Sequence, residues 1–199
     1  VENKLEFHLK WGLGSSSTLI NNIAQWAKVD AFELLEKSFG GSGYDVACAQ
    51  CNSPILYKRT NGKPVVDIAK FAPSFKEQLF FIYLNQKQDS KASIKHYQSL
   101  PLKDFDTAEK SVNEITSRIL DCSSIKEFEI LIQSHEEIIS KIIKTPTVKS
   151  VLFNDYSGSI KSLGGWGGDF ILATGSFLDI EYFRNKGYTT IIPYSEMVL

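Results

Sequence analysis

Nine of this chain's 13 glycines fall in three tight groups. These are Gly12 and Gly14, then Gly40, Gly41 and Gly43, then Gly164, Gly165, Gly167 and Gly168. Glycine loses more conformational freedom on folding than any other residue. Three such groups therefore mark places where the backbone must turn sharply or approach something closely. Whatever the fold, it has to bring regular elements up to these three turns.

The periodicity between the groups supplies those elements. Leu5, Phe7, Leu9 and Trp11 alternate with polar residues, which predicts a strand running into the first glycine group. Leu19, Ile20, Ile23, Ala24, Trp26 and Ala27 recur at helical spacing after it. A second helix is expected from Asp30, as N-cap, to Lys37. The Asn61-Gly62 step between two short apolar runs within 53–72 signals a β-hairpin. Residues 78–84, Q-L-F-F-I-Y-L, read as the most apolar strand, followed by a polar loop over 85–91 and a helix from Ala92. Two amphipathic stripes fill 104–144. Strands are expected at 148–154, 170–174 and 189–193, with a helix over Leu178–Asn185 stopped by Gly187. Strands and helices interleave without regular βαβ alternation, so the expected class is α+β in two layers.

The composition excludes several function classes. The chain of 199 residues is 43% apolar and carries a net charge of −1, so it can bury a sizeable core but has no strong field for nucleic acid or an anionic membrane. No apolar run reaches membrane-spanning length. The three cysteines, Cys48, Cys51 and Cys122, are too few for a disulfide framework, which points to a reducing, cytoplasmic setting. His8, His96 and His135 are scattered without metal spacing, and His135 falls on an apolar helix face as a packing residue. Zinc at Cys48 and Cys51 is not expected without a second pair.

Each glycine group has a chemical reading and a plainer one. Gly12-Leu13-Gly14-Ser15-Ser16-Ser17-Thr18, placed before a helix, can turn successive N–H groups onto a phosphate, or it is a loop in which Ser15 or Ser16 caps the helix. It lacks the endings of a Walker A or a dinucleotide-binding loop. Asp45 follows the second group between apolar neighbours. It is either a general base aimed into a cleft or a turn residue bonded to nearby N–H groups. The third group, Gly164-Gly165-Trp166-Gly167-Gly168, is either a flexible loop or a close approach to a ligand or another loop.

Order and spacing then matter more than any one group. W-G-L-G-S-S-S-T-L at 11–19 resembles the phosphate loop of the GHMP kinases. G-S-G-Y-D-V-A at 41–47 is similar to the acid-bearing segment of the mevalonate and phosphomevalonate kinase branch, and to the bacterial subgroup named for Gly-Tyr-Asp-Ile-Ala. K-S-L-G-G-W-G-G-D-F at 161–170 resembles the superfamily's third, glycine-rich motif. The resemblance implies an ATP- and Mg²⁺-dependent kinase acting on a small-molecule hydroxyl or phosphate, with mevalonate or phosphomevalonate favoured. It implies that Gly12, Leu13, Gly14, Ser15, Ser16 and Ser17 wrap the ATP phosphates. Asp45 would be the catalytic acid that orients and deprotonates the acceptor. Ser16 and Glu33 would hold Mg²⁺. Gly164, Gly165, Trp166, Gly167 and Gly168 would form the loop on the substrate side, joined by Lys87 and Ser90.

The resemblance also implies an architecture. Residues 1–72 correspond to the remainder of an ATP-binding domain related to domain 2 of ribosomal protein S5, and 73–199 to a ferredoxin-like C-terminal domain. The family's Pro-Gly-Lys strand does not precede the phosphate loop here. The chain is therefore expected to be the C-terminal two-thirds of a kinase, weakly active by itself, with an exposed edge that favours a homodimer. His8 stands where the family's phosphate loop begins with Pro. Two other functions remain beside the kinase of this branch: a non-catalytic binding module of the same fold, and a sugar kinase of the superfamily. A decarboxylase of the diphosphomevalonate type ranks below them.

Overall fold

A computed structural model describes residue 2, residues 4–100 and residues 105–198. The chain divides between Phe71 and Ala72 into two compact units.

The first unit holds three helices and a hairpin. α1 (Ser15–Ala27), α2 (Ala31–Ser38) and α3 (Tyr44–Ala49) pack through Ile20, Ala24, Ala31, Leu35 and Val46, all buried. α1 shows helical spacing because Ile20 and Ala24 lie one turn apart on its inner face. Lys28 ends it in the left-handed conformation. Asp30 caps α2 as expected, its carboxylate accepting from the N–H groups of Phe32 at 2.8 Å and Glu33 at 2.9 Å. Buried Asn21 ties α1 to the end of α3, donating to the Ala49 carbonyl and accepting from Gln50 Nε2 at 3.1 Å. β1 (Ile55–Thr60) and β2 (Lys63–Ile68) pair antiparallel from Ile55↔Ile68 to Thr60↔Lys63. Asn61 and Gly62 both take positive φ between them, the backbone that the Asn-Gly turn requires.

The expected strand over residues 5–11 does not form. Leu9–Trp11 is a short 3-10 turn, and the His8 ring accepts from the Lys10 N–H at 3.2 Å. Alternation provides a face but not a partner. Among the described residues no strand pairs with this segment, and Leu9 is left 61% exposed.

The second unit is built on a four-stranded antiparallel sheet of order β4-β5-β3-β6, from β3 (Leu79–Tyr83), β4 (Ile160–Ser162), β5 (Phe170–Thr174) and β6 (Ile191–Pro193). β3 pairs with β5 from Leu79↔Thr174 to Tyr83↔Phe170. All five β5 residues are buried, so both faces of that strand are covered. Between β3 and β4 run α4 (Ser90–Gln98), α5 (Phe105–Asp121), α6 (Ile125–Ile143) and α7 (Val148–Leu152). α8 (Phe177–Asn185) lies between β5 and β6, and α9 (Tyr194–Met197) follows. Phe80, Ile82, Phe153, Ile171, Ile180 and Phe183 form the centre of the core.

One further expectation is corrected here. Residues 148–154 are not a strand. Thr147 caps α7 by accepting from the Ser150 N–H at 3.2 Å, and a helical turn then buries Val148 and Phe153. A short apolar run fits helix and strand alike, and here the cap decides. Lys161 and Ser162, at the start of the third glycine-rich motif, belong to β4 because β5 is available to pair with them. No helix among the described residues is long and apolar enough to cross a membrane.

Candidate functional site

The turn before α1 is built from two left-handed glycines, Gly12 at φ 69° and Gly14 at φ 70°. Gly14 is the N-cap and has no side chain with which to cap. The first hydrogen bond at this end of α1 runs from Thr18 N–H to the Gly14 carbonyl, at 3.0 Å. The N–H groups of Ser15, Ser16 and Ser17 therefore have no acceptor within the helix. Neither Ser15 nor Ser16 caps it, so the plainer reading of this loop fails. What remains is a 13-residue helix whose uncapped N-terminus carries partial positive charge.

Asp45 sits in the first turn of α3, just after Gly43, which is buried and left-handed at φ 83°. A Cβ at Gly43 would lie 2.9 Å from the Phe32 ring and 3.1 Å from the Tyr57 hydroxyl, so only glycine fits. Tyr57 closes this corner by donating to the Ser42 carbonyl. The effect is to place Asp45 beside the first turn: a Cβ built on Gly14 would stand 4.0 Å from the Asp45 Cβ. Among the described residues no hydrogen bond engages the carboxylate, so it is not a turn residue bonded to nearby N–H groups. The residue reaches solvent, yet desolvation by the protein around it raises its pKa above 3.8. Neighbouring Tyr44 is pushed up to about 12, first by burial and then by Cys48 and Asp45.

Glu33 lies in the first turn of α2. It is exposed, faces Lys37 at 3.7 Å, and lines a groove of about 640 Å³ with Gly40, Gly41, Gly43 and Arg59. Neither Ser16 nor Asp45 lines that groove. No group of three His, Cys, Asp or Glu side chains that could hold a metal is found among the described residues. Cys48, Cys51 and Cys122 are free thiols.

The third glycine group belongs to the second unit and is packed against the loop after β3. A Cβ on Gly165 would stand 2.9 Å from Gln88 Cγ and 3.1 Å from Ser93 Oγ. One on Gly168 would stand 2.9 Å from Gln88 Cβ and 3.0 Å from its backbone nitrogen. Ser93 Oγ donates to the Gly165 carbonyl at 2.9 Å and accepts from Gln88 Nε2 at 2.9 Å. Trp166 takes positive φ, donates from its indole N–H to the Pro146 carbonyl at 3.2 Å, and lies 5.7 Å from the Lys161 ammonium. The close approach is thus to another loop. Lys87 is exposed, and Ser90 is the first residue of α4, capped by Asp89. Sequence reasoning missed Gln88, Ser93 and Asp169. The signal that could have found Asp169 is its place directly after Gly168, where a buried acid must have a partner.

No protein-family model matches the chain, and no curated protein matches it in sequence. The fold of this chain resembles that of a solved kinase. It is similar in structure to L. major mevalonate kinase, solved in complex with R-mevalonate, with a TM-score of 0.61 at 17% identity. That likeness covers 89% of this chain and 64% of the kinase, so the chain spans under two-thirds of its neighbour's length.

Proposed function

We propose that the chain carries the phosphate-binding turn and general base of an ATP-dependent small-molecule kinase, with mevalonate or phosphomevalonate as acceptor. One observation supports this most: Asp45 stands beside the uncapped N-terminus of α1, with the Gly14 and Asp45 Cβ positions 4.0 Å apart. The kinase-like fold, the order of the three glycine groups and the Gly-Tyr-Asp segment support the same reading.

The residues have distinct tasks. The N–H groups of Ser15, Ser16 and Ser17 donate to phosphate oxygens, and the α1 dipole favours their charge. Gly12 and Gly14 let the backbone take that shape. Asp45 orients the acceptor hydroxyl and takes its proton, and its burial-raised pKa makes it a better acceptor than an exposed carboxylate. ATP with Mg²⁺ supplies the transferable phosphoryl group and neutralises its charge. Mg²⁺ on phosphates keeps several waters and needs only one or two protein ligands. The Ser16 hydroxyl fits that role, and Glu33, the second candidate ligand, lines the groove that includes Gly43. In the second unit, loops 85–91 and 164–168 are packed on each other, and the exposed Lys87 beside them is assigned to substrate binding. Its strand order β4-β5-β3-β6 supports the reading of this unit as ferredoxin-like.

The test is Asp45→Asn in the complete protein. ATP-dependent phosphorylation of mevalonate or phosphomevalonate should fall about 10²–10⁴-fold in kcat, the range for loss of a general base. Retained turnover would remove Asp45 from the chemistry. Absence of ATP·Mg²⁺ binding at millimolar nucleotide would leave a non-catalytic module.

A further inference from the structure

Asp169 belongs to none of the roles assigned so far, yet its N–H, its carbonyl and its carboxylate are all hydrogen-bonded to the loop after β3. It is 7% exposed and takes φ 55°, a backbone that side chains other than Asn and Asp seldom accept. Its N–H donates to the Gln86 carbonyl at 2.7 Å, and its carbonyl accepts from the Leu84 N–H at 2.8 Å. These two bonds carry the β3–β5 pairing past Tyr83 and Phe170. Its carboxylate Oδ1 then accepts from the Gln88 N–H at 3.1 Å, across 81 positions of sequence. The other oxygen, Oδ2, faces Gly164, where a Cβ would meet it at 3.4 Å. One buried acid therefore bonds Gln88 at one strand-end and faces Gly164 at the mouth of the glycine turn.

We propose that Asp169 is the positioning residue of the Gly164–Gly168 loop, its carboxylate locking that loop to the backbone of Gln88. An isolated buried carboxylate is costly, so its bond to Gln88 N–H must be kept. Keeping it fixes the separation of the two loops to the length of one side chain. Gly165 and Gly168 permit that separation because any Cβ there would push Gln88 away. Asp169 touches no reacting atom in this account. It acts through the loop, and only the kinetic part of the proposal rests on the kinase reading above.

The experiment compares Asp169→Ala with Asp169→Asn in the complete protein. Asn keeps an oxygen that can accept from Gln88 N–H and tolerates the left-handed backbone, whereas Ala does neither. In the Ala variant, amide hydrogen exchange at Gln88 and over 164–168 should speed up at least tenfold, and Trp166 emission should shift. The Asn variant should restore both. Transferase kcat/KM should follow the same order, with about a tenfold loss for Ala and rescue by Asn. Should Asp169→Ala fail to fold, Gly168→Ala serves instead, since it forces Gln88 off the loop from the opposite side and should give the same local exchange. Unchanged exchange in a folded Ala or Gly168→Ala variant overturns the proposal. So does an Asn variant as loose as Ala. Loosened loops in a protein with no transferase activity would instead overturn the kinase reading and leave the positioning role standing.

Discussion

The turns around Gly14 and Gly168 use the same residue type to opposite ends. At Gly14 the glycine is a cap without a side chain. It leaves three N–H groups unsatisfied within the helix, and the nearest side-chain position, on Asp45, is at ordinary contact distance. At Gly168 the glycine is a spacer. A Cβ would collide with the backbone of Gln88, and the polar groups around it are bonded to one another. The first turn keeps donors open for something outside the chain, while the second is filled by the side chains and backbone of the neighbouring loop. Glycine content alone does not separate a binding turn from a packing turn. What packs beside the glycine does.

The largest expected effect follows from the open turn. Beyond its loss of turnover, Asp45→Asn should leave the protein no less stable in thermal unfolding. Asp45 has a raised folded-state pKa, so its ionisation opposes folding once pH passes 3.8, and the amide removes that cost. A fall in both turnover and stability would mean the residue is structural. Next comes the packed turn: Gly168→Ala should cost about 1–3 kcal/mol in denaturant unfolding, because Gln88 must move. Gly14→Ala should cost about 1–2 kcal/mol from the left-handed backbone alone, as nothing blocks the added methyl. Its larger consequence should be weaker ATP binding by calorimetry. If Gly14→Ala proved costlier to folding than Gly168→Ala, the contrast between the two turns would be reversed.

The smallest effect concerns His135 on α6. Its Nδ1 is buried without a hydrogen-bond partner, and desolvation, with the Lys161 ammonium second, holds its pKa down to about 4. Lys161 is itself paired with buried Glu136 at 2.9 Å. The unfolded chain takes up this proton near pH 6.5 and the folded one only near 4. The stability from neutral His135 is thus complete above pH 6.5 and lost as pH falls toward 4. Unfolding midpoints measured across that window should flatten in His135→Leu. An equal slope in both proteins would place the titration elsewhere.

Local signals in the sequence carried a good part of this. Asp30 as a cap, Asn61-Gly62 as a hairpin turn and Gly187 as a helix stop were legible because each acts on its own neighbours. The periodicity of α1, α5 and α6 was legible because one buried stripe per helix repeats at fixed spacing. Residues 5–11 and 148–154 were misread because the same short apolar run suits several outcomes. A partner strand or a cap decides between them, and neither is visible in the run itself.

By itself, then, the sequence determined where the backbone turns, which faces are apolar and which residues could carry phosphate chemistry. Only the tertiary structure decided that Asp45 stands beside Gly14, 31 positions away, and that Asp169 takes its partner from Gln88. Turns and caps are contacts within a few residues, so local composition encodes them. The meeting of distant residues is set by how whole helices and strands pack, and that depends on every buried side chain between them.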